Sequence, residues 1–431
     1  MEKLKQAHVL RKYNEGLKSR KETAEALGLS ERQITRLAKG VKEEGESALI
    51  HKNTGRKPSH ALSEEDKDRI LAIREEEQYA KCNHLHFQEL LQREHGIKIS
   101  YSALYILLKG RGINSPKKRR KAVKHRRRKR KARAGELLQL DATPFDWFDN
   151  GGQPALHGSI DDATGQVCGL YMTENECLHG YFSVMKQTVQ QFGVPLSAYS
   201  DKHTIFRSPL TGKKAELGEE ANLTQFGRAL HELGINLIHA HSPQAKGRVE
   251  RLWGTLQSRL PVEFKLRGIT TIQAANRFLA EEYIQMYNNH FAVLAETESI
   301  FVPYVHRESI DDILCIKETR KADNAGSFSY KGQRFKALDE GYPMIPPKAT
   351  IEVLVNVNQA IRVRYKGRVY RTQINTTIET PKVKPKKAAV AERHVTPHLL
   401  HGSDEWKKIW HYESYAESLA FLYEIFFKSA A

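Results

Sequence analysis

The chain has 431 residues, a length that accommodates about two to four domains of ordinary size. Lysine and arginine number 69 against 51 aspartates and glutamates, so the net charge at pH 7 is +18. Such an excess favours a polyanionic partner, nucleic acid before membrane. The sequence shows no signal peptide and no apolar segment long enough to span a bilayer. We therefore expect a cytosolic protein with no membrane partner.

The sequence contains four cysteines, Cys82, Cys168, Cys177 and Cys315, and none of them forms a Cys-x-x-Cys pair. This spacing indicates neither a zinc ribbon nor a disulfide framework. Reduced cysteines in an intracellular protein are the simplest interpretation. His84 and His86 lie close to Cys82 and could be a fragment of a metal site, but surface histidines are the favoured interpretation.

Residues 1–50 are expected to form a helix-turn-helix DNA-binding domain. Apolar periodicity predicts three helices, over residues 4–13, 20–27 and 31–40. Gly28 ends the second helix and Ser30 is a good N-cap for the third. The third helix offers polar side chains that can reach base edges or phosphates: Arg32, Gln33 and Arg36. A plain three-helix bundle with solvated charges is the alternative interpretation.

A second helix-turn-helix unit is expected over residues 60–112. Ser63 is the predicted N-cap of its first helix, and Gly96 ends its second. The segment 100–109 occupies the position of a recognition helix. Its first turn offers two side chains to DNA: Tyr101 and Ser102.

Two basic segments connect the predicted domains. The first, residues 51–58, contains Arg56 and Lys57 and fits either an arm that enters an A·T-rich minor groove or a simple linker.

The second basic segment, within 113–134, has 13 lysines or arginines between residues 117 and 133 and no apolar periodicity, so we expect it to be disordered without DNA. Neutralised phosphates release counterions, which predicts salt-sensitive affinity for any DNA; a nuclear-localisation signal has the same composition. The expected phosphate contacts are Lys118, Arg119, Arg120, Arg126, Arg127 and Arg128.

Two aspartates lie at the ends of predicted strands. Asp141 belongs to the segment 137–143, where apolar and polar residues alternate as in a half-buried strand. The alternation places Leu138 and Leu140 on one face and Gln139 and Asp141 on the other. Asp201 ends another predicted strand, residues 196–201. Carboxyl ends of strands in an α/β sheet are where ligands bind, so both aspartates are candidates for a functional site.

A third carboxylate, Glu250, belongs to a predicted helix in which Ser242 is the N-cap and Pro243 the first residue. The helix has one apolar stripe, made of Val249, Leu252, Trp253, Leu256 and Leu260. Glu250 lies at the edge of that stripe among cations that we expect to contact DNA: Lys246, Arg248 and Arg251. A surface glutamate paired with helical arginines is the alternative interpretation.

Three carboxylates brought together would repel one another unless cations neutralised them, and oxygen ligands suit Mg²⁺ or Mn²⁺. Other acidic side chains compete for the first position. Asp161 and Asp162 fall in a predicted hairpin turn, which favours a turn role, and Asp146 and Asp149 are interpreted as surface residues. The last candidates for DNA contact in this region are His239 and His241.

The order of strand–Asp141, strand–Asp201 and then Pro243-Gln244-x-x-Gly247-x-x-Glu250-Arg251 resembles the retroviral-integrase superfamily, with its Asp-Asp-Glu triad on an RNase H-like fold. Within that superfamily the chain most resembles the ISNCY insertion-sequence transposases. The resemblance covers roughly residues 1–375. Asp201 and Glu250 are separated by 48 residues, more than in many members, and 202–221 looks like an inserted loop.

The resemblance implies a DDE transposase in which Asp141, Asp201 and Glu250 hold two Mg²⁺ or Mn²⁺ ions per site. Such an enzyme cleaves DNA at the 3′ ends of its element and joins them to target DNA. The implied partners are double-stranded DNA and further copies of the chain, at least a dimer, because two ends must join one target. The implied location is the bacterial cytoplasm, at the nucleoid. An RNase H-like nuclease without strand transfer and a non-catalytic DNA-binding regulator are the alternatives.

The expected fold is therefore multidomain, with an all-α amino-terminal region followed by an RNase H-like core. That core, residues 135–305, has the predicted order βββαβαβα and a mixed α/β sheet. Short strands separated by Lys-Gly turns predict a small β-barrel over 315–378. Its expected DNA-facing surface consists of Arg362, Arg364, Lys366 and Arg368. Residues 379–431 combine a Lys/Pro-rich linker with an aromatic tail that needs another surface to dock on.

Overall fold

The structure is a computed structural model, and the residues it describes are 2–50, 62–116, 129–207, 223–239, 246–305, 308–323 and 326–374. The chain divides into two compact units, residues 1–73 and 74–431. None of the helices in the described ranges is both long and apolar enough to cross a bilayer.

The first unit contains the three helices predicted from the sequence. They are α1 (Glu2–Asn14), α2 (Arg20–Leu27) and α3 (Glu31–Glu44). The Ser30 hydroxyl accepts the Gln33 amide (3.3 Å), and the Gln33 side chain accepts the Ser30 amide (3.1 Å), so a capping box starts α3 as the N-cap predicts. Small apolar side chains form the core of this unit: Leu10, Ala24, Ile34, Ala38 and Val41.

Three more helices follow, α4 (Glu64–Glu75), α5 (His84–His95) and α6 (Tyr101–Gly110). Helix α5 begins three residues before the predicted start at 87, because the Asn83 side chain caps it by accepting the His86 amide (2.9 Å). His84 and His86 are only 3% and 1% exposed. The interpretation of this pair as surface histidines is therefore wrong.

A five-stranded mixed sheet follows, as the sequence predicts. Its strands are β1 (Leu138–Pro144), β2 (Ala155–Asp161), β3 (Val167–Thr173), β4 (Ser197–Ser200) and β5 (Asn236–His239). Their order in the sheet is β3-β2-β1-β4-β5. The pairs β1–β2 and β2–β3 are antiparallel, whereas β1–β4 and β4–β5 are parallel.

Helices cover both faces of this sheet. They are α7 (Leu178–Gln191), α8 (Gln225–Glu232), α9 (Gly247–Leu266), α10 (Ile272–Phe278), a π-helical turn (Leu279–Tyr283) and α11 (Ile284–Phe291). One apolar core joins β2 and β3 to α9–α11, and a second joins β1 and β4 to α7 and α8. Central strand β1 is thus covered on both sides.

This coverage changes the interpretation of β1. Leu138, Gln139 and Leu140 all have 0% exposure, so the expectation of a half-buried strand is wrong for the first three residues of β1, while residues 141–144 are partly or fully exposed. The predicted alternation is confirmed, because Leu140 packs in the core with α7 and α8 while Gln139 and Asp141 contact α9. A polar residue can occupy the covered face because its hydrogen bonds are satisfied there.

After a short helix, α12 (Ile310–Ile313), the chain forms a six-stranded antiparallel sheet. Its strands are β6 (Ile316–Lys321), β7 (Ser327–Tyr330), β8 (Gln333–Ala337), β9 (Thr350–Asn356), β10 (Ala360–Tyr365) and β11 (Arg368–Ile374). Its order is β6-β9-β10-β11-β8-β7. The Tyr330 hydroxyl on β7 donates to Glu318 on β6 (3.2 Å), and Arg320 lies over the Tyr330 ring. The expected barrel is therefore a nearly closed sheet whose two end strands are joined by side chains.

Two of the four cations expected to face DNA do not offer that surface, whereas Lys366 and Arg368 are exposed. Arg362 is 8% exposed and pairs with Asp312. The Arg364 side chain is 17% exposed and lies 3.5 Å from Glu308 and 3.6 Å from Glu352. Both are committed to carboxylates of their own domain, so the expectation that they face DNA is wrong.

Helix α5 is attached to the core by buried ion pairs with α9. The Glu263 side chain, 3% exposed, accepts hydrogen bonds from His86 (2.9 Å), Arg93 (2.7 Å) and Arg267 (2.6 Å). Arg259 donates two hydrogen bonds to Glu89 (2.5 and 2.9 Å). Burial by itself would raise the pKa of Glu263, but the hydrogen bonds from His86 and Arg93 outweigh it and lower that pKa to about 2.

The end of the basic segment is also attached to the core. The Arg130 guanidinium donates to the Ala163 carbonyl (2.9 Å), and the Lys131 amide donates to the Asp162 carboxylate (3.0 Å). Arg133 forms a β-bridge with Thr297. The expectation of disorder is therefore wrong for residues 129–133, while 117–128 lie outside the described residues.

Glu263→Gln should destabilise the protein at pH 7 by about 3 kcal/mol, because it removes the buried negative charge that the partly buried guanidinium groups of Arg93 and Arg267 contact. A depressed pKa contributes stability above the unfolded value of about 4.3, and that contribution is lost as pH falls towards the folded value. The cost of the substitution, measured by chemical denaturation, should therefore shrink between pH 5 and pH 2.5. Glu281→Gln, at an exposed position, is the matched control. An equal cost of Glu263→Gln at both pH values would contradict the lowered pKa of Glu263.

Candidate active site

The two predicted aspartates meet on neighbouring parallel strands, with Asp141 in the middle of β1 and Asp201 directly after β4. Leu138 of β1 lies opposite Ala198 of β4, and the same register continued by three residues brings Asp141 level with Asp201. The Asp141 carboxylate lies 2.7 Å from the Lys246 ammonium, and the Asp201 carboxylate lies 3.8 Å from the same atom. The structure thus directs both carboxylates at one cation.

A second hydrogen bond fixes Asp141 against α9. The Trp253 indole N–H donates to the other Asp141 oxygen (2.9 Å). Trp253 belongs to the predicted apolar stripe, which is confirmed, since all its members are 6% exposed or less. The strand and the helix therefore hold the Asp141 carboxylate in one orientation.

A buried network defines where α9 begins. The Gln139 carbonyl oxygen accepts the backbone amides of Arg248 and Val249 (3.2 Å each), and its amide group donates to Asp162 (2.8 Å). The Arg248 guanidinium donates to the same Asp162 oxygen (2.9 Å). The first amides of a helix have no partner within it, so Gln139 satisfies two of them and ties the helix to β1.

The helix begins later than predicted. Its first residue is Gly247 and Lys246 is at the N-cap position, without a side-chain cap. Ser242 and Pro243, the predicted N-cap and first residue, lie outside the described residues, as does His241.

Glu250 lies on the first turn of α9 with an exposed side chain. It lines a groove together with Trp253 and Gly254. Within the described ranges, no group of three His, Cys, Asp or Glu side chains has a metal-binding arrangement. The structure therefore brings Asp141 and Asp201 together at the Lys246 ammonium. Glu250 lies on the helical turn whose amides Gln139 accepts, and it lines the groove rather than a shared carboxylate cluster.

Sequence reasoning missed a fourth carboxylate, Glu176. It precedes α7 and accepts a hydrogen bond from the Tyr181 hydroxyl (2.6 Å). Burial raises the pKa of Glu176, and the negative charges of Asp201 and Asp141 raise it further. Its only signal in the sequence is an acidic residue between a strand and a helix, which is common at surfaces.

The rival carboxylates have structural roles. Asp161 accepts the amides of Thr164 (2.8 Å) and Gly135 (2.9 Å), which confirms the predicted turn role. Asp146 accepts two amides of its own loop, and Asp149 pairs with Lys81. His239 lies 3.3 Å from the Ser200 hydroxyl, so this histidine is next to the site.

The predicted DNA contacts differ in their environments. Arg32, Arg36, Tyr101, Ser102 and Arg251 are exposed, and the Gln33 carbonyl is committed to the capping box. Lys246 is 8% exposed and the Arg248 side chain 10%. These two contact carboxylates of the protein rather than solvent, which runs against the expected DNA contact. The remaining predicted contacts lie outside the described residues: Arg56, Lys57, Lys118, Arg119, Arg120, Arg126, Arg127 and Arg128.

The groove next to Glu250 runs between α6 and α9 and has a volume of about 1470 Å³. Its lining combines aromatic rings with charged side chains and includes Tyr101, Tyr105, Lys109, Glu250, Trp253 and Gly254. Tyr101 and Tyr105 are 45% and 40% exposed, with stacked rings 6.3 Å apart. Aromatic faces with a nearby cation are suited to bases and phosphates.

Residues 6–68 match the family model described as winged helix-turn helix. The transposase for insertion sequence IS1202 of Streptococcus pneumoniae is 39% identical over 324 residues, which are 68% of this chain and 69% of that protein. The putative transposase y4bF of Sinorhizobium fredii (strain NBRC 101917 / NGR234) is 32% identical over 367 residues, 84% of this chain and 79% of that protein.

Solved structures show a more distant likeness. A chain in the cryoEM structure of the simian T-cell lymphotropic virus intasome in complex with PP2A regulatory subunit B56 gamma is 16% identical, with a TM-score of 0.30, over 70% of this chain and 99% of that one. The HTLV-2 integrase catalytic core domain in complex with magnesium, in its trimeric form, is 17% identical, with a TM-score of 0.27. The match covers 38% of this chain and 90% of that one. The family membership rests on the two sequence relatives.

Asp162→Asn should cost about 3 kcal/mol of stability, because it removes the counter-charge of the buried Arg248 and weakens the support of α9. Chemical denaturation at pH 7 measures this cost. Asp149→Asn is the matched control: its ion pair with Lys81 is exposed, and asparagine tolerates the positive φ of 59° at that position. Similar small costs for both substitutions would mean that Asp162 does not hold the helix.

Proposed function

Because the chain belongs to the insertion-sequence transposases, we propose that it is a transposase of the integrase superfamily, which cleaves DNA at the ends of its element and joins the new 3′ ends to target DNA. One observation carries the proposal: Asp141 and Asp201, from neighbouring parallel strands, converge on one cation beside the groove that contains Glu250. We assign these three carboxylates as the catalytic triad.

The donor set fits a divalent metal. Oxygens of Asp141 and Asp201 lie 2.7 and 3.8 Å from the Lys246 ammonium, so a positive charge is already accommodated at this position. Carboxylate oxygens are preferred ligands of Mg²⁺ and Mn²⁺. When bound, two such ions per site would supply an activated water and stabilise the oxygens that enter and leave the phosphate.

The other residues orient this site. Trp253 fixes the direction of Asp141, and Gln139 fixes the turn that carries Glu250. Hydrogen bonds of this kind hold reacting groups in position before the substrate arrives, which is where a phosphoryl-transfer site gains most of its rate. A nuclease on the same fold would need the same triad, so strand transfer distinguishes the two activities. A non-catalytic regulator would have no need of the triad.

We propose that the DNA end lies in the groove between α6 and α9. There Lys109 would meet phosphates, and Tyr101 and Tyr105 would contact bases. The exposed Ser102 and Arg251 would contact DNA outside the groove lining. Arg32 and Arg36 of α3 would read the terminal repeats. The basic residues of 117–128, together with Arg56 and Lys57, would add affinity that depends on salt but not on sequence.

We retain the predicted domain bounds as a proposal: 1–50, 60–112, 113–134, 135–305, 315–378 and 379–431. What changes is the role expected of the second helical unit, residues 60–112. The buried ion pairs of Glu263 and Glu89 attach α5 to the core, so the second helical unit would act on the DNA held by its own chain. Only the first helix-turn-helix, residues 1–50, would then be able to bind the DNA end on which the other chain acts. At least two chains are required, because one triad serves one 3′ end.

Asp141→Asn, Asp201→Asn and Glu250→Gln should each lower cleavage and strand transfer at least about 1000-fold, since each removes a charge while keeping the shape. The measurement uses DNA with the element ends and Mg²⁺, and fluorescence anisotropy verifies that DNA binding is retained. The exposed neighbour Glu174→Gln is the control. If the unmodified protein cleaves DNA but does not join it to a target, the nuclease alternative is supported. If it binds DNA but neither cleaves nor joins it, the non-catalytic regulator is supported.

The groove can be filled without disturbing the fold. A Cβ atom at Gly254 meets nothing within 4 Å, so Gly254→Ala should stabilise α9 by up to about 1 kcal/mol. Gly254→Tyr should fold equally well but weaken binding of element-end DNA about tenfold, because its ring occupies the groove. Anisotropy titrations of both variants compare them directly, and equal affinities would place the DNA end elsewhere.

A further inference from the structure

Lys246 is in an unusual position for a residue expected to contact DNA. It is 8% exposed, and its ammonium faces both Asp141 (2.7 Å) and Asp201 (3.8 Å). Arg251, one turn further along α9, has an exposed side chain whose Nε donates only locally, to the Gly247 carbonyl (3.0 Å). The chain therefore places one lysine inside the carboxylate site and leaves its neighbour in solvent.

Attraction to Asp141 and Asp201 holds the Lys246 ammonium in this position against the helix dipole. Lys246 occupies the N-cap position of α9, where the helix dipole disfavours a positive charge. The two aspartates offset this cost, and in return the ammonium reduces their mutual repulsion. A lysine also has a compact charge on a flexible stem, so it can leave without any movement of the helix.

A divalent ion bound to the same oxygens would face the ammonium at a distance of a few ångströms, where like charges repel strongly. We propose that Lys246 is a built-in competitor of the catalytic metal, which holds Asp141 and Asp201 in the metal-free protein and leaves when the metal binds. This inference rests on the metal site of the proposed function. Gln139 and Trp253 keep β1 and α9 in place throughout, so only the lysine side chain changes position.

The exchange links metal binding to DNA binding. Once the aspartates are neutralised by metal, the helix dipole and the metal both drive the Lys246 ammonium outwards, and a DNA phosphate at the start of α9 would accept it. Coupling is reciprocal, so DNA that attracts Lys246 raises the affinity of the site for metal. The protein would then bind metal weakly until a DNA end is present.

The first experiment measures Mn²⁺ affinity of the full chain without DNA by isothermal titration calorimetry. Lys246→Met keeps most of the stem and removes the charge, so it should bind Mn²⁺ about tenfold more tightly, within the usual range for coupled sites. Arg251→Met removes the same charge from the same helix without taking a partner from either aspartate, and should change the affinity about twofold or less. Asp141→Asn should abolish the binding.

A second experiment uses the unmodified sequence, so it is independent of how the variant folds. Lysine side chains are acetylated with and without saturating Ca²⁺, and mass spectrometry measures the rate at each site. If metal binding releases Lys246, the acetylation rate of Lys246 should rise at least about fivefold. That factor is the lower limit of the usual coupling between two binding sites. Lys109, in the groove away from the aspartates, should react at the same rate in both conditions.

The outcomes separate the two ideas. If the unmodified protein binds Mn²⁺ and Asp141→Asn does not, but Lys246→Met matches Arg251→Met or Lys246 acetylation is unchanged by Ca²⁺, the competitor role is overturned and the metal site stands. If neither the unmodified protein nor Lys246→Met binds Mn²⁺ at a site that Asp141→Asn removes, the metal site and the competitor role fail together.

Discussion

The hydrogen bonds that tie the start of α9 to β1 are the constraint on which the candidate active site depends. Gln139 has no exposed surface, and its carbonyl accepts two amides of the first helical turn while its amide group donates to Asp162. An unpaired amide in this position would be costly. Because β1 also carries Asp141 and the same helical turn carries Glu250, one buried side chain fixes the relation between two members of the proposed triad.

The same helix organises the groove in which we propose that DNA binds. Its carboxyl-terminal half carries Arg259 and Glu263, which pair with Glu89 and Arg93 of α5. Buried ion pairs contribute little net stability compared with apolar packing, but they disfavour every arrangement in which one partner is left alone. Helix α9 therefore sets the position of the groove as well as of the carboxylates, and a change in its register would move both.

Charge is distributed unevenly in this protein. The chain has a net charge of +18, yet Asp141, Asp201 and Glu176 lie close enough for their charges to affect one another. A polyanionic substrate would be repelled from such a cluster unless cations neutralise it. The Lys246 ammonium supplies one positive charge from within the protein, and this explains how the aspartates remain together on adjacent strands without a metal.

Local sequence determined the elements and the ends of the strands on which Asp141 and Asp201 lie. Caps such as Ser30 and Ser63, the alternation in β1 and the apolar stripe of α9 depend on neighbours within a few residues, so the sequence displays them directly. The burial of His86, the role of Asp162, the proximity of Glu176 and the location of Lys246 depend on partners that are distant in the chain, Lys246 and Asp141 being 105 residues apart. Only the tertiary structure decided these, because side chains of the same types satisfy the same local rules on a solvated surface, and only packing determines which of them lose water and must find a partner.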